Sequence, residues 1–255
     1  MPTPPETFDV TLVASRMIAP AVREMVLERS DGKPFLYEPG QWLNLLLDLP
    51  DGQLKRAYSI ASEPTGSPRF EVAVTRGTGG PGSIWLHELE HGARLAAIGP
   101  YGLFTRPAAD VTPSLFVATG TGITPLRSMI RASRASRSSA GARSPDGASP
   151  PLWVLFGARK EEDVLYRDEL EAMVREDPRC RYVITLSQPS DAWQGRRGYV
   201  QAHLPELYRA LAEHAHPAHA DLYICGLQRM VQAVKELAQG ELGVPRKQVH
   251  VERYD

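Results

Sequence analysis

The sequence of 255 residues predicts two domains. The first is an antiparallel β domain, a small barrel or sandwich, and the second is an α/β domain built on a parallel sheet. Three observations carry this. Before about residue 104, short apolar runs are punctuated by turn pairs such as Asp31-Gly32, Pro39-Gly40 and Asp51-Gly52. After about residue 114, short apolar strands alternate with helical stretches, the order of a parallel sheet covered on both faces. The two rhythms meet near Thr105 to Pro113, where prolines flank a run of small residues.

Composition narrows the function classes. Hydrophobic residues make up 42% and charged residues 23%, a balance that lets each half bury a core. A formal net charge of −1 creates no global field for nucleic acid or an anionic membrane. No apolar run is long enough to insert across a bilayer, and Met1-Pro-Thr-Pro-Pro-Glu-Thr lacks the regions of a secretory signal. The cysteines, Cys180 and Cys225, are too few for a disulfide framework and lack metal-ligand spacing. A cytoplasmic protein without a metal site is expected.

In chain order, Phe8 to Ser15, Val22 to Arg29, Gln41 to Leu49 and Lys55 to Ser62 read as strands. Arg69 to Arg76 alternates, with Phe70, Val72 and Val74 on one face, the period of a half-buried antiparallel strand. A helix is expected near Ser83 to Leu89, and Gly99-Pro-Tyr-Gly-Leu-Phe104 reads as a turn. In the second half, Ser114 to Thr119, Leu152 to Gly157, Tyr182 to Leu186 and Leu222 to Cys225 read as strands. Helices are expected near residues 125–134, 165–176 and 227–239; in the last, Met230, Val231, Val234 and Leu237 recur at helical spacing. Arg131 to Pro151 has no large apolar side chain and reads as a mobile loop. Its Arg131, Arg134, Arg137 and Arg143 suit either a solvated loop or an arm that docks an acidic partner.

Three segments carry chemistry. Thr119-Gly-Thr-Gly-Ile-Thr-Pro125 follows a strand and opens a helix. Gly120 and Gly122 permit close backbone approach, Pro125 suits the first helical position, and the helix N-terminus suits a pyrophosphate. A tight strand-to-helix connection explains the turn equally well. In Arg56-Ala-Tyr-Ser-Ile-Ala-Ser62, Arg56 and Tyr58 share a strand face and Ser59 takes the other. Arg56 offers a fork for phosphate, Tyr58 a ring to stack, and Ser59 a hydroxyl; alone, such a segment is an ordinary edge strand. In Gly79-Gly-Pro-Gly-Ser83, Ser83 suits a helix N-cap, and Gly80 and Gly82 permit an anion to approach.

Taken in this order, these residues resemble the ferredoxin–NADP⁺ reductase family of flavoproteins over nearly the whole chain. The resemblance rests on Arg56, Tyr58 and Ser59; on Gly80 and Ser83 with Trp85 and Leu86; and on Gly120, Gly122, Thr124 and Pro125. Tyr223-Ile-Cys-Gly-Leu-Gln-Arg-Met230 and the ending Val249-His-Val-Glu-Arg-Tyr254 complete it. It implies a FAD-binding antiparallel β-barrel over residues 1–108 and an NAD(P)-binding α/β domain over 109–255. It implies hydride transfer between NADPH or NADH and FAD, with Ser59, Cys225 and Glu252 as catalytic residues. Arg56, Tyr58, Ser59, Ile60, Val74, Gly82 and Ser83 would hold FAD. Gly120, Thr121, Gly122, Thr124, Pro125, Cys225 and Gly226 would hold the nicotinamide nucleotide. Tyr254 would cover the flavin ring, although here Asp255 follows it.

For a 2′-phosphate, the family's serine–arginine pair is matched by Ser187-Gln188, which lacks the arginine; Arg159, Arg196 and Arg197 are the alternative cations, and they favour NADPH. No cysteine cluster supports an iron–sulfur centre, so electrons must pass to a separate ferredoxin, flavodoxin, oxygenase component or small acceptor. A flavin-bearing subunit without independent turnover is the alternative, and a flavin-free two-domain binding module is a third reading.

Overall fold

A computed structural model of the chain describes residues 5–77, 80–138, 150–214 and 220–254. Two compact units emerge: Met1–Ala108 together with Arg127–Ala135, and Ala109–Leu126 together with Ser136–Asp255.

The first unit is built on six antiparallel strands: β1 (Glu6–Ala19), β2 (Val22–Arg29), β3 (Trp42–Leu49), β4 (Gly52–Ser59), β5 (Arg69–Thr75) and β6 (Arg94–Tyr101). Their order in the sheet is β4-β3-β6-β1-β2-β5. An antiparallel bridge between Ile60, just past the end of β4, and Val72, in the middle of β5, links the two edge strands, so the sheet curls toward a barrel there. Alternation explains the core: Phe70, Val72 and Val74 of β5 are buried, as are Leu43, Leu45 and Leu47 of β3. Strand β6 has no counterpart in the sequence expectations: it begins at Arg94 and runs into the turn expected over Gly99–Phe104; Leu95 and Ala97 alternate into the core, but glycine, proline and small residues mask the pattern. Tyr101 ends that strand and stacks on Trp42 at 4.8 Å.

Helix α1 (Pro81–Glu88) begins two residues before Ser83. Proline takes the first turn because its missing N–H has no acceptor there. The N-cap is therefore Gly80, not Ser83, and Ser83 Oγ instead donates to the Gly80 carbonyl (3.2 Å) and accepts the Gly77 N–H (3.0 Å). Gly79 lies outside the described residues. At the other end, Arg23 of β2 donates to the carbonyls of Leu86, His87 and Leu89 at 2.8–2.9 Å, satisfying acceptors that the helix cannot pair.

The second unit's sheet is parallel: β7 (Ser114–Thr119), β8 (Leu152–Ala158), β9 (Arg181–Leu186), β10 (Arg196–Arg197), β11 (Asp221–Leu227) and β12 (Val249–Tyr254). The order is β10-β9-β8-β7-β11-β12. Near-continuous burial of β7, β8 and β11 is what a parallel sheet covered on both faces requires. The helices are α2 (Ile123–Ser138), α3 (Arg167–Glu176), α4 (Leu204–His214) and α5 (Gln228–Gly240). In α5, Val231 and Val234 are buried and Met230 and Leu237 pack against the core. Helix α4 is absent from the sequence expectations; its Leu204, Leu207, Tyr208 and Leu211 recur at helical spacing and are all buried.

Two expectations about α2 are corrected. Pro125 is the third residue of the helix, not the first, because a 3₁₀ turn over Gly120–Gly122 runs directly into Ile123. The loop expected over 131–151 is helical as far as Ser138. Small residues hold it there: Ala132 and Ser133 are buried, and the Ser133 hydroxyl takes the Arg106 guanidinium at 2.6 Å. Arg131 pairs with Glu63 and Glu71. Residues 139–149, including Arg143, lie outside the described residues.

Candidate active site

The first half-site is the β4 edge and what surrounds it. Arg56 is exposed, and its Nη1 donates to the neighbouring Lys55 carbonyl at 3.0 Å. Its fork stands in solvent, open to an anion. Tyr58 is half-buried against the barrel core, and burial pushes its hydroxyl up to about 12. Ser59, on the opposite face, is buried. Ile60 is buried and its N–H donates to the Gln41 carbonyl at 3.0 Å. Gly82 brings the start of α1 against this edge: a Cβ there would stand 2.9 Å from Leu47 Cδ1, 3.0 Å from Leu54 Cδ2 and 3.6 Å from Arg56 Cγ. Nothing lies within 4 Å of a Cβ on Gly80. The Val74 carbonyl faces the His87 ring, whose Nε2 lies 2.9 Å away.

The second half-site follows from topology. From β7 the chain steps one way across the sheet to β8, β9 and β10, and the other way to β11 and β12. The order reverses between β7 and β11, and ligands of such sheets bind outside the carboxyl ends of the strands at that point. Gly120 to Thr124 leave β7 there, and Cys225-Gly226 lie near the carboxyl end of β11, just before Leu227. A Cβ on Gly122 would stand 2.3 Å from the Cys225 carbonyl oxygen, so only glycine lets the turn lie against that peptide. Gly120 has φ +53° with open space beside it, and Gly226 has φ +150° with Thr119 Oγ1 2.5 Å from where its Cβ would be. Thr121 is half-buried. Thr124 Oγ1 donates to the Thr121 carbonyl at 2.7 Å and lies 3.3 Å from the Tyr254 hydroxyl.

Strand register brings in the chain's last residues: Cys225 pairs with Glu252, and Leu227 with Tyr254. Cys225 is fully buried; burial, and then the Glu252 charge, push its thiol up, so it is held as neutral S–H. Burial raises the Glu252 carboxyl from 4.5 to about 7. Glu252 Oε2 and Thr119 Oγ1 are buried with no hydrogen-bond partner among the described residues. Buried polar atoms are normally paired, so these two, among several such atoms in the described residues, leave hydrogen-bonding capacity unused at this end of the sheet. Asp255 lies outside the described residues.

The three candidate cations differ in their partners. Arg196 is held bidentately by Glu206 at 2.5 and 2.6 Å. Arg159 Nε lies 3.6 Å from Asp163, and its side chain is largely exposed. Arg197 is exposed and donates to the Ser190 and Trp193 carbonyls at 3.2 and 3.0 Å, with no carboxylate partner among the described residues. Tyr199, two residues on, is 68% exposed, an aromatic face that sequence reasoning passed over. Its position directly after Arg196-Arg197-Gly198 was the available signal. No cluster of His, Cys, Asp or Glu among the described residues could hold a metal ion. No helix among them is long and apolar enough to cross a membrane.

A curled antiparallel sheet with an Arg-Tyr-Ser edge, and a parallel sheet with a glycine turn at its switch point, define a flavoprotein oxidoreductase that uses a nicotinamide dinucleotide. Residues 9–105 match the model of the oxidoreductase FAD-binding domain, and residues 116–236 match that of the oxidoreductase NAD-binding domain. The chain belongs to the ferredoxin–NADP⁺ reductase family. It is 61% identical over 250 residues to ferredoxin–NADP reductase B of Sorangium cellulosum, covering 98% of each chain. It is 30% identical over 223 residues to the glycine betaine monooxygenase reductase subunit of Pseudomonas aeruginosa, covering 86% of this chain and 57% of that one. Among solved structures, the Amycolatopsis cytochrome P450 reductase GcoB shares the fold, with a TM-score of 0.82 at 24% identity, covering 98% of this chain and 70% of that one. Ferredoxin–NADP⁺ reductase from Plasmodium falciparum with 2′P-AMP shares it with a TM-score of 0.76 at 21% identity, covering 98% and 97%.

Proposed function

We propose that this chain takes a hydride from NADPH onto FAD and passes the electrons to a separate redox protein, a ferredoxin or flavodoxin. The observation that carries the reading is the match, at 61% identity over 98% of the chain, to a ferredoxin–NADP reductase. When bound, FAD supplies a ring that accepts a hydride and releases its electrons singly.

The protein's part is binding, orientation and proton handling. Arg56, whose fork is solvent-facing, holds the FAD pyrophosphate; Tyr58 lays its ring along the flavin, and Ser59 hydrogen-bonds the ring edge. Ile60 and Val74 would contribute further backbone contacts to the group, beyond the Ile60 N–H and the Val74 carbonyl, which already have internal partners. Gly82 lets the start of α1 come beside Arg56. Ser83 shapes the preceding loop through its two backbone hydrogen bonds. Gly120, Thr121, Gly122, Thr124 and Pro125 receive the nicotinamide nucleotide at the start of α2, where N–H groups lack intrahelical acceptors. Neutral Cys225, with Gly226, packs beside the nicotinamide. Glu252 holds or gives a proton near pH 7, and Tyr254, beside Thr124, flanks the nucleotide turn. Arg197 and Arg159 meet the 2′-phosphate, and Tyr199 offers a face for the adenine.

The visible spectrum tests the reading. The purified chain should show the bands of bound oxidised flavin and lose them on adding NADPH. A colourless protein that takes up no FAD would overturn it. The similarity to an oxygenase reductase subunit supports a second reading, service to an oxygenase component. Reduction of ferredoxin by the isolated chain at rates no better than of unrelated dyes would favour that one.

A further inference from the structure

Within the first unit, the segment directly after the Arg56–Ser59 edge is held from several sides. The Ala61 N–H donates to the Glu71 carbonyl at 2.7 Å. The Tyr37 hydroxyl reaches the Ser62 and Glu63 carbonyls at 3.2 and 2.9 Å, and Ser62 Oγ accepts the Glu71 N–H at 3.0 Å. The remaining side is closed by α2. Arg127 Nη1 donates to the Ala61 carbonyl at 3.0 Å and to Glu71 Oε2, and Glu24 Oε1 lies 3.8 Å away. Ser128 Oγ donates to the Ser62 carbonyl at 2.5 Å. Arg127 is 3% exposed and Ser128 fully buried.

A buried guanidinium stabilises a fold poorly; apolar side chains of equal volume often do as well or better. Glu71 and Glu24 compensate the charge but do not explain why a charge is there. What Arg127 provides and an apolar residue cannot is a rigid, directional hold on the Ala61 carbonyl. That carbonyl is two residues from Ser59, a span of at most about 7 Å of chain.

We propose that Arg127 and Ser128 are positioning residues for hydride transfer: they clamp the Ala61 and Ser62 carbonyls and so set where Tyr58 and Ser59 meet the flavin. The inference rests on the flavin reading of β4. Displacing a reacting ring by about 1 Å slows a reaction by about 100-fold, so a loosened clamp has a measurable effect well before the fold fails.

The test uses the full chain loaded with FAD, as Arg127→Met, Arg127→Lys and Ser128→Ala, with the flavin absorbance bands, melting temperature, kcat and KM for NADPH measured on each. Arg127→Met should shift the flavin bands and lower kcat about 10-fold or more, with KM within about twofold of wild type. Arg127→Lys should fall between, and Ser128→Ala should shift the bands with a smaller loss of kcat. A lower melting temperature with wild-type bands and kcat would mean the pair only braces the fold and would overturn the proposal. So would a rise in KM at constant kcat. If Arg127→Met does not fold, the other two variants, which keep the charge balance, decide: wild-type bands and kcat in both overturn it. A wild-type chain that takes up no FAD removes the flavin reading, and this proposal with it. A FAD-loaded wild type with indifferent variants removes this proposal alone.

Discussion

Glu252 shows how much one residue's chemistry depends on its surroundings. Its carboxyl is raised to about 7 because burial disfavours the charged form. The folded chain therefore binds that proton more tightly than the unfolded chain does. The resulting stability is full below the unfolded value near 4.5 and is lost as pH rises through about 7. The melting temperature of wild type should fall between pH 5 and pH 8, and Glu252→Gln should flatten that fall. If Glu252 handles the proton, kcat for NADPH oxidation should also inflect near pH 7 in wild type and not in the variant; an inflection that survives belongs to another group. The family resemblance singled out this glutamate. Its shifted proton affinity was not readable, since it comes from the pairing of Val249–Tyr254 with β11. Arg56, Tyr58 and Ser59 were legible because one short segment holds all three. Arg23, Glu71 and Arg127 were not, because their partners lie tens of residues away: 63 to Leu86 for Arg23, 56 to Glu71 for Arg127.

At the scale of elements, the glycine turn is decided by what it touches. Gly120 and Gly122 look alike in the sequence, but the structure separates them. Gly120 needs its positive φ and faces open space, whereas Gly122 lies against the Cys225–Gly226 peptide. A Cβ on Gly122 meets backbone, which cannot swing aside as a side-chain tip can. Gly122→Ala should therefore push the turn off the end of β11 and weaken NADP⁺ binding about 10-fold or more, as titration calorimetry would record. Gly120→Ala should instead cost about 1–2 kcal/mol of stability through its left-handed backbone, with a smaller change in affinity. Equal losses of affinity in both would mean that the turn's flexibility, not its contact with β11, matters. Helix starts were read two residues late, at Ser83 and Pro125, because prolines and small polar residues suit several first-turn positions alike. Helix α2 was read too short because its last turns are buried through Ala132 and Ser133 rather than through large apolar side chains.

At the scale of the whole molecule, the nucleotide preference is the property with most consequence. Arg197 carries a charge that no described carboxylate neutralises, whereas Glu206 claims Arg196. Arg197→Ala should lower kcat/KM for NADPH about 10-fold and leave that for NADH near wild type. Equal losses with both nucleotides would move the 2′-phosphate elsewhere, with Arg159 next in line. The sequence by itself determined that an antiparallel β unit precedes a parallel α/β unit, because side-chain periods of two and of 3.6 residues are local properties of the chain. It also determined the motif residues of β4 and of the glycine turn, since each set lies within a few consecutive positions. Only the tertiary structure decided which strands lie side by side, and so that the sheet reverses order between β7 and β11 with Cys225 facing Glu252. It alone decided which charges are already spent on internal partners. Both depend on contacts between residues far apart in the chain, whose burial and pairing no local pattern encodes.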